Sequence, residues 1–162
     1  MFYCSRSLAS LIAGMFIVIC ASSSSANEVV EELSPEIRSL LKKEMLALQI
    51  GTQEILPAYV SGDLNTVTDI ARRIKASYIF KREITDQQKA ELVSKLPHDF
   101  LARDKRFHER AGMLEHVAKE NHMELVGFYY AKLLESCVSC HSEYAAHRFP
   151  NLESSAPNEG HH

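Results

Sequence analysis

Residues 34–59 read SPEIRSLLKKEMLALQIGTQEILPAY, and their pattern sets the fold class. Ser34 is a side-chain cap, Pro35 stands at the first helical position, and Glu36 puts an acid in the first turn. Such a start satisfies free backbone amides and favours the positive end of the helix dipole. Ile37, Leu41, Met45, Leu48, Thr52, Ile55 and Tyr59 then recur at steps of three or four, which places them on one helical face. Pro57 has no amide hydrogen and is expected to kink or end the helix near its last turn. Ser61-Gly62-Asp63 makes the turn, and Asp63 caps the next helix.

The same periodicity extends outward. A second helix is expected from about Leu64 to Phe80, with Val67, Ile70, Ala71, Ile74 and Tyr78 facing inward. Thr85-Asp86-Gln87-Gln88 is a capping-box pattern that opens a short helix to about Lys95, stopped by Leu96-Pro97. A third long helix spans about Asp99 to Glu120, with Phe100, Phe107, Ala111, Leu114 and Ala118 inside. Asn121-His122-Met123-Glu124 reads as a second capping box, opening a fourth long helix from His122 to His147 that Phe149-Pro150 ends. Four amphipathic helices, two short hairpin turns and one longer middle connection predict an all-α antiparallel four-helix bundle over 27–150. No strand signal and no internal repeat is present, and residues 151–162 read as a loose tail.

Composition agrees with a helical domain. The 162 residues are 46% hydrophobic and 24% charged, with only 6 Gly and 5 Pro, which excludes a disordered chain. A net charge of −3 argues against nucleic-acid binding, which needs a basic surface. The first 26 residues carry Arg6, an apolar run from Leu8 to Cys20, and the small residues Ala21 to Ala26. That three-part order is expected of a secretory signal peptide cleaved after Ala26. An uncleaved anchor is a weaker reading because the apolar run is short for a bilayer span. A lipoprotein site at Cys20 is disfavoured by the bulky Ile19 before it. Cleavage removes Cys4 and Cys20, leaving Cys137 and Cys140.

Those two cysteines fall in Cys137-Val138-Ser139-Cys140-His141, the C-x-x-C-H signature of covalent c-type haem attachment. On a helix, residues three and four apart share a face, so both sulfurs can bond the two vinyl groups of one haem. His141, four after Cys137, can then offer an imidazole nitrogen to the iron. Three rivals are weaker. A redox Cys-x-x-Cys belongs at a helix start in a βαβ setting, and this pair lies deep in a helix. A structural zinc site needs four ligands, and these residues give three. A disulfide here would close too short a loop to add much constraint.

The motif lies in the last helix of a bundle. In this the chain resembles the class II c-type cytochromes, cytochrome c prime and its low-spin relatives. The resemblance covers about Glu36 to Phe149. It rests on Ile55-Leu56-Pro57 before Gly62-Asp63, on the segment from Phe100 to Phe107-His108, and on Cys137 to Tyr144. It implies one covalent haem c in a left-handed four-helix bundle, with Cys137 and Cys140 as thioether attachments and His141 as the proximal iron ligand. A residue of the first helix covers the other haem face. It is apolar in gas-binding members and a ligating Met in low-spin members. Counting back twelve from Pro57, as the family pattern suggests, lands on Met45, the expected distal iron ligand; the competing reading of Met45 is core packing.

The resemblance implies a periplasmic monohaem electron carrier without catalytic residues, meeting redox partner proteins at the haem edge. The alternative is a five-coordinate haem that binds nitric oxide or carbon monoxide. Family members commonly pair as homodimers through their first two helices. His108 reads either as an ordinary surface or boundary residue or as a candidate for the haem edge or a propionate, whereas His116 and His122 read as solvated helix residues. His161 and His162 close the tail and make no metal site alone. Two departures stand out: Val138-Ser139 lacks the Lys that many members carry between the cysteines, and Ala145 replaces a basic residue four after the haem histidine. Arg148, one turn further on, reads either as its replacement near the proximal side or as a helix-end charge that favours the dipole.

Overall fold

The computed structural model describes residues 26–78 and 84–153. The proposed signal segment up to Ser25, the connection 79–83 and the tail from Ser154, with His161 and His162, lie outside the described residues. Within them the chain is all-helical. A 3-10 segment, Ala26–Glu32, precedes α1 (Pro35–Val60), α2 (Leu64–Ala76), α3 (Asp86–Lys95), α4 (His98–Lys119) and α5 (Met123–Tyr144). A 3-10 turn, Ala146–Arg148, and the short α6 (Pro150–Glu153) complete the chain's described course. No helix among the described residues is long and apolar enough to cross a membrane.

The helix starts behave as their caps dictate. Ser34 Oγ accepts the Ile37 amide at 3.4 Å and Asp63 Oδ1 accepts the Thr66 amide at 3.1 Å. Thr85 and Gln88 form a reciprocal capping box, with bonds of 3.2 and 2.9 Å. Pro57 does not end α1, which continues to Val60.

Three expectations are corrected. The second helix stops at Ala76, where Ser77 Oγ bonds the Ile74 carbonyl. The fourth long helix ends at Tyr144, three residues short of His147, and Pro150 opens a helix instead of closing one. Asn121 makes no capping box. It closes α4 at φ 60°, with the Asn121 amide on Ala118 O at 3.1 Å and the His122 amide on Val117 O at 2.9 Å. Gly62 closes α1 identically: φ is 77°, and Gly62 and Asp63 donate to Tyr59 and Ala58 at 3.0 and 2.8 Å. Both hairpins therefore turn on the same left-handed C-terminal motif, and Asn is the residue other than Gly that best tolerates it.

Packing places α2 on both α1 and α4, and α4 on α5, whereas α1 and α5 touch only sparsely. The main core joins Leu48 and Ile55 of α1, Val67 and Ile74 of α2, Leu114 of α4 and Leu133 of α5. A separate cluster sets Leu92 of α3 and Leu96, the residue that caps its C-terminus, against Leu33 and Ile37, so α3 covers the start of α1. The Ser34 amide donates to Glu91 and Lys95 Nζ to the Glu32 carbonyl, fixing the same junction. Where α1 and α5 do meet, Tyr130 Oη donates to the Thr52 carbonyl at 2.9 Å and the Tyr59 hydroxyl lies over Gly127.

Candidate functional site

The C-x-x-C-H segment occupies the C-terminal half of α5. Helical spacing puts Cys137, Cys140, His141 and Tyr144 along one face, while Val138 and Ser139 face solvent. This half of α5 is bolted to α4 by polar contacts. Arg103 donates to Ser139 Oγ at 2.7 Å, and Arg110 donates to Ser136 Oγ. Tyr144 Oη donates to Asp99 at 3.1 Å and its ring meets Phe100 edge-on at 5.0 Å. The Arg103 guanidinium, bonded to Asp99, holds that carboxyl below the usual carboxylate range.

Both thiols are free and half-buried, and Cys137 packs against the main core. Burial pushes both thiols up; for Cys140 burial, followed by the Asp104 carboxylate, raises the pKa to about 11. They are protonated thiols at neutral pH, unlike the thiolates of redox dithiols or zinc sites. Burial lowers the pKa of His141, so its ring is neutral at neutral pH, the form in which an imidazole can ligate a metal. Among the described residues neither ring nitrogen of His141 makes a hydrogen bond; its one ring contact is a parallel stack on Phe149.

Met45 is not on the buried face with Leu48. The buried positions of α1 are Ile37, Glu44, Leu48, Gly51, Thr52, Ile55 and Ala58. That phase puts Leu41 half-buried and leaves Met45 on the flank, 42% exposed. The interior place falls to Glu44, only 2% exposed, which the sequence reading missed.

Glu44 is buried because His108 faces it. His108 Nε2 lies 3.5 Å from Glu44 Oε1 and 3.5 Å from Asp104, and Nδ1 donates to the Ile74 carbonyl at 2.8 Å. Burial alone would lower the pKa of this ring. The Asp104 and Glu44 carboxylates outweigh burial and push it up to about 9. The ring is therefore an imidazolium at neutral pH, wedged between α1 and α4. At 3.5 Å these are ion-pair contacts, and among the described residues Glu44 Oε1 and His108 Nε2 have no closer hydrogen-bond partner.

His116 and His122 are exposed, as the sequence suggests. Arg148 pairs with Glu31 at 2.7 Å. Among the described residues no group of three His, Cys, Asp or Glu side chains is arranged to hold a metal ion. Comparison with known protein families, with curated proteins and with solved structures finds no match.

Proposed function

We propose that the chain is a monohaem c-type cytochrome of the class II kind, exported to the periplasm, that transfers single electrons between redox proteins. The observation that carries this reading is the state of the C-x-x-C-H face. Two adjacent protonated thiols and a neutral imidazole, whose nitrogens make no hydrogen bond among the described residues, share one side of α5. Thioether formation adds an S–H across each vinyl group, so free thiols are the required starting form. The residues present therefore fit haem c: Cys137 and Cys140 would tether it and His141 would ligate its iron from α5.

Bound there, the haem would supply Fe(III)/Fe(II) exchange, and a Met ligand would favour the ferrous state. The chain's part is to hold, orient and partly shield it. The contacts of Arg103 and Arg110 with Ser139 and Ser136 keep α5 fixed against α4 through a change of charge. Met45, on the flank of α1, is the distal residue of this proposal. Its exposure favours, as a second reading, a five-coordinate haem open to nitric oxide or carbon monoxide.

An absorption spectrum decides among these readings. It is taken oxidised and reduced on the full chain, exported in a host that attaches c-type haem. Sharp reduced bands with a weak far-red band when oxidised are expected for His141 and Met45 ligation. A high-spin spectrum that shifts with carbon monoxide selects the second reading, and a chain without haem bands overturns both.

A further inference from the structure

After Tyr144 the chain leaves the helix at Ala145, turns through Ala146–Arg148, and brings Phe149 back over the C-terminal end of α5. The Phe149 amide donates to Ala145 O at 3.2 Å and Ala146 O at 2.9 Å, and Ala146 is only 1% exposed. The result is a stack of two rings: Phe149 and His141 have centroids 4.3 Å apart and planes 4° from parallel. The segment is clamped from the other end of the chain. Glu31 accepts Arg148 at 2.7 Å, lies 3.9 Å from His147, and is itself held by Arg38 of α1 at 3.1 Å.

A metal-bound histidine is usually oriented by a hydrogen bond from its second ring nitrogen to a carbonyl or carboxylate. His141 has no such partner among the described residues. The flat face of Phe149 is the contact that restricts rotation of the imidazole about its Cβ–Cγ bond. A metal on a ring nitrogen lies in the plane of the imidazole, so a ring stacked on its face does not compete for that position. We infer that Phe149 is the positioning residue for the His141 imidazole, and that the Glu31–Arg148 pair holds it in place. This rests on the haem reading above, because a set ring plane matters only where His141 serves as an axial ligand. The plane of an axial imidazole controls how the iron d orbitals split, so fixing it fixes the electronic state of the ferric form.

Three full-chain variants test this: Phe149→Leu, of similar bulk but without a plane; Phe149→Tyr, which keeps one; and Arg148→Ala, which frees the clamp. In the haem-free chain, nuclear magnetic resonance is expected to show His141 ring protons shifted upfield by the Phe149 ring current. That shift should be lost in Phe149→Leu, kept in Phe149→Tyr and reduced in Arg148→Ala. In the ferric haem-loaded chain, electron paramagnetic resonance should show displaced and broadened g values in Phe149→Leu and parent-like values in Phe149→Tyr. A purely space-filling role would leave the Leu spectrum unchanged, and that result overturns the inference. So does a haem-free parent without the ring-current shift. A parent that shows the shift yet takes up no haem overturns the haem reading and, with it, the positioning role.

Discussion

His108 of α4 lies 3.5 Å from Glu44 of α1, and both side chains are sealed from solvent, at 4% and 1% exposure. An ion pair so placed ties the stability of the bundle to pH. The folded ring titrates near 9 against an ordinary 6.5, because Asp104 and Glu44 outweigh the penalty of burial. Its contribution is therefore full below about pH 6.5 and is lost as pH rises through about 9. Chemical unfolding at a series of pH values is expected to lose on the order of 3 kcal/mol between these limits. The Tyr78 ring, 5.1 Å from His108, is a further titratable neighbour, and burial keeps its hydroxyl neutral across that range. Glu44→Gln, by removing one of the two carboxylates, should lower stability at pH 7 and flatten the slope. A slope unchanged by Glu44→Gln would separate the pH dependence from this pair.

Tyr59 of α1 and Gly127 of α5 approach so closely that a methyl group at Gly127 would lie 2.6 Å from the Tyr59 hydroxyl. Gly127→Ala must displace that ring. Overpacking of this kind costs about 1–3 kcal/mol. Part of the loss should return in the double variant Gly127→Ala with Tyr59→Phe, which deletes the clashing oxygen, though the ring carbon at 3.2 Å remains. Thermal melts of the four-member cycle measure the coupling. Strictly additive losses would mean that the two side chains do not meet in solution.

The helices were legible because their periodicity and start signals agree. Ser34, Asp63 and Thr85 each cap the helix they announce. Asn121 misled because a small polar residue suits both a helix start and a left-handed helix end. What separates the two is the His122 amide on Val117, a bond that no spacing rule displays. Glu44 was missed for a different reason. Between Lys43 and Met45 a carboxylate reads as a solvated charge, and its partner, His108, lies in a helix far along the chain. Its phase was nevertheless available: Glu44 is seven after Ile37 and four before Leu48, both buried. The same one-residue phase error carried Met45 from the interior to the flank. The placement of the C-x-x-C-H segment late in a long helix was legible because helical spacing is local, whereas the Phe149 stack depends on how the chain folds after Tyr144.

The cysteines make a prediction independent of haem. Burial and the Asp104 carboxylate hold Cys140 near a pKa of 11, and Cys137 is also raised by burial. In the folded haem-free chain both thiols should alkylate slowly with iodoacetamide at about pH 7.5, far below the rate of an unstructured thiol. The rate should climb as the solution is made more alkaline. Denaturant at constant pH should release both to the ordinary rate. Rapid alkylation of the folded chain at neutral pH would instead indicate an activated thiolate and revive the redox-dithiol reading.

Met45→Ala tests the proposed distal ligand, and the exposure of Met45 makes the experiment clean. Met45 is 42% exposed on the flank of α1, so its truncation removes little buried surface and should change stability by no more than about 0.5 kcal/mol. The haem-loaded variant is therefore expected to fold as the parent does, and a spectral change can be assigned to coordination. If Met45 ligates, the variant loses the far-red oxidised band, gains high-spin character, and falls in midpoint potential because a soft ligand that favours ferrous iron has gone. A low-spin parent whose spectrum survives Met45→Ala would place the distal ligand elsewhere. A high-spin parent unaffected by the substitution would assign Met45 a packing role and favour gas binding. The neighbouring Glu44→Gln supplies the contrast: it lies one residue away but inside the core, so it should cost stability. Of these two substitutions, only the one at position 45 is expected to remove the far-red band outright.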